Sequence, residues 1–305
     1  MNKLAALLLA LVGCDRGAAA PPAGPAEWTV DPIDLGAGAI VDGLTGTSSH
    51  DVWLTAAVDG GRVVLHFDGT GWHVVEPPVR GPRALWAAAP DDVWAVGRAG
   101  TYAHYDGATW TPGQIPDVPL DLVDVVGFGD RVVAAAAGPR VFAYDGHAWT
   151  TLEPPELAGA AVFKLWGSSA TNVLMPINRL DRPITIARYT GRWLTFEEVG
   201  AGAGVKLAGT GPGDIWLLSP QTTYHYDGTT WTERPVPRPK LFSIAAGAPD
   251  RAVAVGEDGA AVIWDGARWR DSPTGTRERL QAAYVAPDGQ AWIAGARVYR
   301  RTLRF

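Results

Sequence analysis

The sequence has little of what metal sites and nucleic-acid-binding proteins need. One cysteine among 305 residues excludes a disulfide within the chain. The formal net charge of −6 argues against a nucleic-acid-binding surface, which needs a basic patch. No H-x-x-x-H pattern or Cys/His spacing typical of zinc sites occurs, and no G-x-S-x-G turn or phosphate-binding glycine loop. The sequence therefore predicts no metal, no cofactor and no catalytic residue set recognisable from linear motifs.

The apolar run at the N-terminus is short. It covers Leu4 to Val12, whereas a helix spanning a bilayer needs about 20 apolar residues. With Lys3 before it, the run has the form of a signal peptide. The order L-V-G-C ending at Cys14 resembles the lipobox of bacterial lipoproteins, in which cleavage precedes the cysteine and the cysteine carries the lipid. The resemblance implies a signal peptide over residues 1–13 and lipidation of Cys14; an ordinary secretory peptide is the alternative.

Residues 14–25 are rich in alanine, proline and glycine and have no apolar period. This composition predicts a semi-stiff tether, followed by a folded unit over residues 26–305. A lipid on Cys14 would attach the protein to a membrane of the cell envelope. We expect the outer membrane or the cell surface rather than the inner membrane. The residue after the lipidated cysteine, here Asp15, influences sorting between the two membranes in some bacteria only, so it does not decide the question.

A hairpin motif recurs along the rest of the chain. Its first residue is aromatic, its second is Asp or Thr and its third is Gly, and a tryptophan follows a few residues later. Successive copies are 37 to 45 residues apart. The six copies begin at Phe67, Tyr105, Tyr144, Tyr189, Tyr226 and Trp264. A fixed period near 40 residues indicates a repeat architecture.

Each unit also has an upstream motif such as D-V-W-L-T-A at Asp51 or D-V-W-A-V-G at Asp92, and we align A-V-A-V-G-E at Ala252 with it. These runs are apolar at successive positions, as in strands that are buried on both faces. Four short strands per unit, here called a to d from the axis outwards, predict an all-β fold, a β-propeller. We expect a tight two-residue Asp-Gly turn between strands c and d, with positive φ at both residues. The tryptophan after it should pack against the next blade.

Seven blades are predicted. Six complete units run from Leu44 to Pro273, and a seventh begins at Gln281 but ends before its d-strand. Residues 26–33, A-E-W-T-V-D-P-I, look like a lone d-strand, so the N-terminal strand should complete the last blade and remove an exposed edge. The fourth unit is one residue shorter before Trp193, which predicts a changed turn or a bulge there.

These repeats resemble those of BNR/kelch-like β-propellers found in bacterial lipoproteins and secreted proteins. They are also distantly similar to the sialidase Asp-box, S-x-D-x-G-x-T-W, although here Asp and Gly are adjacent and the leading Ser is absent. The resemblance covers nearly all of the chain after the tether. It implies a fold but not an activity, because propellers carry many unrelated functions.

Most chemically suggestive side chains fall in repeat positions. Every tryptophan can be assigned to a strand, so none is left as an evident sugar platform. The turn aspartates are spread around a ring and would not converge on one Ca²⁺. His66, His104 and His225 share one register in different blades and should be too far apart to share a zinc ion.

One register of the innermost strands differs from this pattern. The position before the buried apolar residue is Gly43, Ala84, Asp124, Lys164, Lys206, Ser243 and Ala282 in successive units. Because a buried unpaired charge is costly, Asp124, Lys164 and Lys206 should face water, one another or a ligand in the channel. The simpler interpretation is a set of ion pairs within the channel; the alternative is that these residues, with Arg83, form a candidate site for a small anion or a peptide.

Three classes of function remain. The sequence favours a membrane-anchored, non-catalytic propeller that binds a protein or another ligand in the cell envelope, its partner being an unidentified envelope protein or glycan. The alternative is a sialidase-like hydrolase or lyase acting on glycans, which would need arginines, a tyrosine and an acid together at the channel. A ligand sensor or carbohydrate-binding module is the third. The closed edges predict a monomer, and no nucleic-acid partner is expected.

Overall fold

The computed structural model describes residues 28–152, 157–160, 162, 164–179, 182–192, 194–204 and 206–303. The predicted signal peptide, Cys14, the tether and Trp193 lie outside these residues. Within them, 28 strands form seven four-stranded antiparallel sheets, which are the blades of a β-propeller. The predicted fold and blade number are confirmed.

Strands a to d follow one another in each of the first six blades. Blade 1 contains β2 (Ile40–Ser48), β3 (Asp51–Val58), β4 (Gly61–Phe67) and β5 (Trp72–Val75). Blade 2 contains β6 (Ala84–Ala89), β7 (Asp92–Val96), β8 (Thr101–Tyr105) and β9 (Trp110–Gln114). Blade 3 contains β10 (Leu122–Phe128), β11 (Arg131–Ala136), β12 (Val141–Tyr144) and β13 (Trp149–Leu152). Blade 4 contains β14 (Trp166–Ser169), β15 (Asn172–Ile177), β16 (Ile184–Tyr189) and β17 (Leu194–Gly200). Blade 5 contains β18 (Lys206–Gly211), β19 (Asp214–Leu218), β20 (Thr222–Tyr226) and β21 (Trp231–Pro235). Blade 6 contains β22 (Leu241–Ala248), β23 (Arg251–Gly256), β24 (Ala261–Trp264) and β25 (Trp269–Asp271).

Blade 7 joins the two ends of the chain. It consists of β26 (Ala282–Val285), β27 (Gln290–Ala294), β28 (Arg297–Thr302) and β1 (Thr29–Asp34). Strand β1 pairs antiparallel with β28, with Thr29 opposite Arg300. The predicted closure by the N-terminal strand is confirmed, and it covers the edge that β28 would otherwise expose.

The core is divided among the blades. In the described chain, buried apolar side chains form seven clusters, one at each blade–blade interface. The b-strands supply much of it, and all five residues of β19 are buried. This explains the uninterrupted apolar runs, because each b-strand packs against a blade on both faces. Burying one such Val or Leu side chain contributes about 1.5–3 kcal/mol.

The c–d hairpins differ from the expected two-residue turn. Phe67 pairs with Trp72, so the loop has four residues, 68–71, and only Gly69 has a positive φ, of 91°. Asp68 stabilises the loop through its side chain, which accepts hydrogen bonds from the backbone N–H groups of Thr70 and Gly71 at 2.8 and 3.0 Å. Asp68 therefore contributes to the turn as a hydrogen-bond acceptor. The prediction of positive φ at both residues was wrong.

The outer tryptophans pack against the preceding blade, not the next one as predicted. Trp110 of blade 2 lies edge-on to Trp53 of blade 1, with ring centroids 6.1 Å apart. Trp269 of blade 6 donates its indole N–H to Thr223 of blade 5 at 2.9 Å. The b-strand side chain of one blade thus meets the d-strand side chain of the following blade.

Two units depart from the sequence alignment. In blade 4, Tyr189 pairs with Leu194, so the loop keeps four residues and Leu194 takes the place of the d-strand tryptophan. The predicted change of turn or bulge at this hairpin was wrong, because the shift of one residue is absorbed by Leu194 in the strand. In blade 6, Ala248 pairs with Arg251 as Ser48 pairs with Asp51. The repeat motif there begins at Arg251 and not at Ala252, because the aligned apolar letters hid a shift of one residue.

Candidate functional site

The a-strands surround a central channel that contains a cavity of about 820 Å³. Each blade contributes the first residues of its a-strand to one end of the channel, on the face that carries the d–a and b–c connections. We call this end the channel mouth and define it by Asp42, Asp124, Lys164, Lys206 and Ser243. Of these, all but Ser243 line the cavity.

Three of the four predicted site residues come together there. Asp124, Lys164 and Lys206, from blades 3, 4 and 5, all line the cavity. Arg83 does not; its guanidinium lies 3.2 Å from the carboxylate of Asp121. The register comparison thus selected three channel residues from consecutive blades, whereas Arg83, which was added to them, lies on the surrounding rim.

Asp124 joins two blades. It is 8% exposed, and its Oδ2 accepts a hydrogen bond from the backbone N–H of Leu165 at 2.8 Å. Ser243 does the same between blades 6 and 7, because its Oγ accepts from the N–H of Ala283 at 3.1 Å. A short polar side chain at this register therefore holds the next a-strand, which is a structural role that the sequence comparison missed.

In the described chain the two lysines form no direct ion pair with a carboxylate, although the charge of Asp124 acts on Lys206 and the charge of Lys164 acts on Asp42. Lys206 donates from Nζ to Ser243 Oγ at 3.1 Å. Burial, and then the positive charge of Lys164, lower the pKa of Lys206 to about 8. Among the described residues, neither lysine forms an ion pair within 4.0 Å. The expected set of channel ion pairs is therefore not formed by these lysines, and two like charges face one cavity.

Asp42 was not identified from the sequence. Burial raises its pKa, although the charges of Arg62, Lys164 and Arg83 oppose that change. Its carboxylate is paired with Arg62. It lies within β2, one position before the register that was compared and at a register shift between Val41 and Gly43, so comparison of that one position gave no signal for it.

Several arginines of this face, among them Arg83, Arg238 and Arg279, are paired with carboxylates around the rim. Arg238 lies 2.5 Å from Asp271, and Arg279 lies 3.7 Å from Glu257. In the part of the chain that the structure describes, no arginine lines the channel cavity. The described residues therefore do not assemble the arginine cluster of a sialidase-like site.

The opposite face carries repeated clusters of Asp, His and Trp. His104 Nε2 lies 2.8 Å from Asp92 Oδ1, the same oxygen accepts from Trp94 Nε1 at 3.0 Å, and the two rings stack 4.3 Å apart. Blade 1 repeats this with Asp51, Trp53 and His66, and in blade 5 His225 pairs with Asp214 and stacks on Trp216. The sequence analysis treated these histidines and aspartates separately, because strand pairing brings together residues 11 to 15 positions apart.

These clusters are structural. Hydrogen bonds from His66, Thr47 and Trp53 lower the pKa of Asp51 despite the opposing effect of burial. In blade 4 the polar pair becomes Asn172 and Arg188, which are hydrogen-bonded to each other. No group of three or more His, Cys, Asp or Glu side chains in the described chain is arranged to hold a metal ion. Within the same residues, no helix is long and apolar enough to cross a membrane.

Comparison with known proteins identifies the fold class. No protein-family model and no curated protein matches the chain. The structure of YCF48 bound to D1 peptide aligns with a TM-score of 0.68 and 16% identity over 91% of this chain and 97% of that one. A streptogramin B lyase structure aligns at 0.67 and 13%, over 92% and 100%. A catalytically inactive virginiamycin B lyase from Staphylococcus aureus with quinupristin aligns at 0.65 and 14%, over 91% and 100%.

The class that fold and site define is a seven-bladed β-propeller with a charged channel mouth. At these identities the solved structures show the fold alone. The resemblance to BNR/kelch-like lipoproteins is not confirmed by a family match and stays a prediction.

Proposed function

We propose that the protein is a lipid-anchored, non-catalytic binding propeller of the cell envelope, and that its channel mouth binds an acidic group of a peptide partner. Cys14 carries the anchor, and the tether of residues 14–25 holds the propeller away from the membrane. Closed sheet edges make it a monomer.

The observation that carries this proposal is the pair of lysines on adjacent blades. Lys206 begins the innermost strand of blade 5, Lys164 lies two residues before the innermost strand of blade 4, and both line one cavity of about 820 Å³. Two like charges in a partly buried site raise each other's free energy, and a bound anion relieves that repulsion. A carboxylate that enters the channel would meet both ammonium groups. Asp124 and Asp42 act on these lysines only through their charges, because Asp124 accepts from the backbone of blade 4 and Asp42 pairs with Arg62.

A peptide suits this site better than a glycan. Sugar platforms need exposed aromatic faces, and the tryptophans that line the cavity, Trp53, Trp86 and Trp166, are held among neighbouring side chains. Among proteins of the same fold, YCF48 has been solved with a peptide bound. That observation concerns YCF48, and here it supports only the capacity of the fold.

A lyase is the second candidate. Proteins of this fold include streptogramin B lyase, and the lowered pKa of Lys206, about 8, is close to the value that favours a general base. None of the histidines lines the described part of the cavity, so a proton would have to be removed by Lys206 itself.

Binding is tested on an array of peptides of equal length that carry two, one or no acidic residues. We expect the wild-type protein to prefer acidic peptides, with affinity falling as salt is raised. Lys164→Gln/Lys206→Gln should lose about tenfold or more in affinity, which corresponds to about 1.4 kcal/mol. Lys240→Gln is the matched control, because Lys240 is an exposed lysine outside the cavity. Equal binding by both variants would refute the proposed site.

The anchor is tested separately. In the native host, Cys14→Ser should release the protein from the membrane fraction, and mass spectrometry of the wild type should find acyl groups on an N-terminal Cys14. A wild-type protein with an intact, unmodified Cys14 would refute lipidation and leave the channel proposal standing.

A further inference from the structure

The interface between blades 3 and 4 lacks the aromatic side chains found at the same place elsewhere. The b-strand position is tryptophan in four blades, at Trp53, Trp94, Trp216 and Trp292. Blade 3 has Val133 there, and opposite it Ala143 replaces the histidine of the Asp–His–Trp clusters. The d-strand residue that faces this position from blade 4 is Leu194 instead of tryptophan.

The other two interfaces without a b-strand tryptophan are filled differently. Blade 6 has Val253 at this position, but Ile263 of the same blade and Trp28, next to the closing strand of blade 7, pack against it. Blade 4 has Leu174, and the following blade keeps Trp231 as its d-strand residue. Within the described chain, blades 3 and 4 form the interface at which both tryptophans are missing.

This interface contains a pocket of about 350 Å³. Its walls include Phe128, Val133, Tyr144 and Tyr189, with Arg131 at its rim. Val133 is 3% exposed, so the pocket reaches into the packed interface. The side chain of Arg131 is 53% exposed.

Tyr189 forms one wall of this space and packs against the core cluster between blades 3 and 4. The equivalent tyrosines of other blades each lie against their own d-strand tryptophan, with centroids 5.1 Å apart for Tyr105 and Trp110 and 5.2 Å for Tyr226 and Trp231. Tyr189 has no such aromatic contact with any residue that the structure describes. Its hydroxyl already donates to the carbonyl of Gly191 at 2.6 Å, which fixes the ring.

We infer that this pocket is a second binding site, separate from the channel, for a planar, uncharged aromatic ring of indole size. The ring would stack on Tyr189 and rest on Val133, taking the place that an indole of the chain itself occupies between other blades. Apolar cavities of this kind remain able to bind small aromatic molecules because their lining lacks contact partners. Either a free aromatic compound or the aromatic side chain of a bound protein could supply the ring.

Fluorine NMR with fluoroindole as the probe tests the site. We expect saturable binding to the wild-type protein at up to millimolar concentration. Val133→Trp should fill the pocket with the residue found in four other blades and weaken binding at least tenfold; Val133→Phe is the smaller replacement if the first variant does not fold. Val253→Trp is the matched control. It introduces the same residue where Trp28 and Ile263 leave no room, so it should lower the melting temperature and leave fluoroindole binding unchanged.

The source of the ring is distinguished by a competing probe. Displacement of fluoroindole by N-acetyl-tryptophanamide would point to a protein side chain, and its failure to compete would point to a free aromatic compound. The inference is overturned if no saturable binding occurs, or if Val133→Trp binds fluoroindole as the wild type does. Binding that appears only in Trp193→Ala would also overturn it, because the chain's own indole would then compete for the site.

Discussion

Trp72 donates its indole N–H to the carboxylate of Asp31 at 2.9 Å and thereby connects the outer hairpin of blade 1 to the strand that closes blade 7. Asp31 is 2% exposed, and Arg300 of the adjacent strand lies 3.4 Å from its second oxygen. The N-terminal strand is therefore held by pairing with β28 on one side and by a side chain of the next blade on the other. This contact links the first and last blades, where the ring would open.

Asp31→Leu should destabilise this closure. It leaves the buried N–H of Trp72 without an acceptor, at a cost of about 1–3 kcal/mol. Asp31→Asn keeps an oxygen acceptor and removes a buried charge whose pKa is raised by burial, so it should cost much less. Urea unfolding of both variants measures the difference. Equal losses would indicate that the Trp72 hydrogen bond does not contribute to closure.

Asp92→Ala should be more damaging than its position at the beginning of β7 implies. Asp92 accepts hydrogen bonds from Trp94, from His104 and, at 2.7 Å, from the backbone N–H of Gly129 in blade 3. Losing these acceptors should cost about 2–4 kcal/mol. Asp91→Ala, at the exposed neighbouring aspartate, is the control and should change the free energy of unfolding by less than about 0.5 kcal/mol. Similar values for both variants would contradict the structural role of the cluster.

Gly107→Ala should disrupt the hairpin of blade 2. Gly107 has a φ of 90°, and a Cβ added there would lie 2.8 Å from Cβ of Asp91. The strained backbone and this contact should together cost about 2–3 kcal/mol. Gly129 also has a positive φ, of 61°, but open space around it, so Gly129→Ala should cost only about 1 kcal/mol. Thermal unfolding of the two variants would separate the contact from the backbone strain.

Lys206→Met should stabilise the protein at neutral pH. The pKa of Lys206 falls from 10.5 to about 8 on folding because burial disfavours the charged form. Between these two values the unfolded chain binds more protons, so the wild type gains stability as pH rises from 8 towards 10.5. At pH 7 the substitution should therefore add up to about 3 kcal/mol, and the advantage should disappear near pH 10.5. Lys240→Met is the control, and a stability difference independent of pH would contradict the assigned cause.

The prediction of the site was partial for a definite reason. Comparing one register across the repeats selected Asp124, Lys164 and Lys206 because a charged residue stands out against apolar equivalents. The same comparison could not identify Asp42, which lies one position before the compared register, at a register shift within β2. It also could not show that Asp124 is engaged by Leu165 N–H, since that contact crosses from one blade to the next.

The amino-acid sequence by itself determined the repeat, the number of blades and the closing strand. These features follow from local properties: the aromatic-Asp-Gly hairpins, the apolar b-strands and the unpaired strand at each end. Only the tertiary structure decided which blade each tryptophan packs against, that His104 belongs with Asp92, and that an aromatic-lined pocket lies beside Val133. Those relations depend on strand pairing and on the packing of blades about 40 residues apart in the chain, and the linear pattern specifies neither.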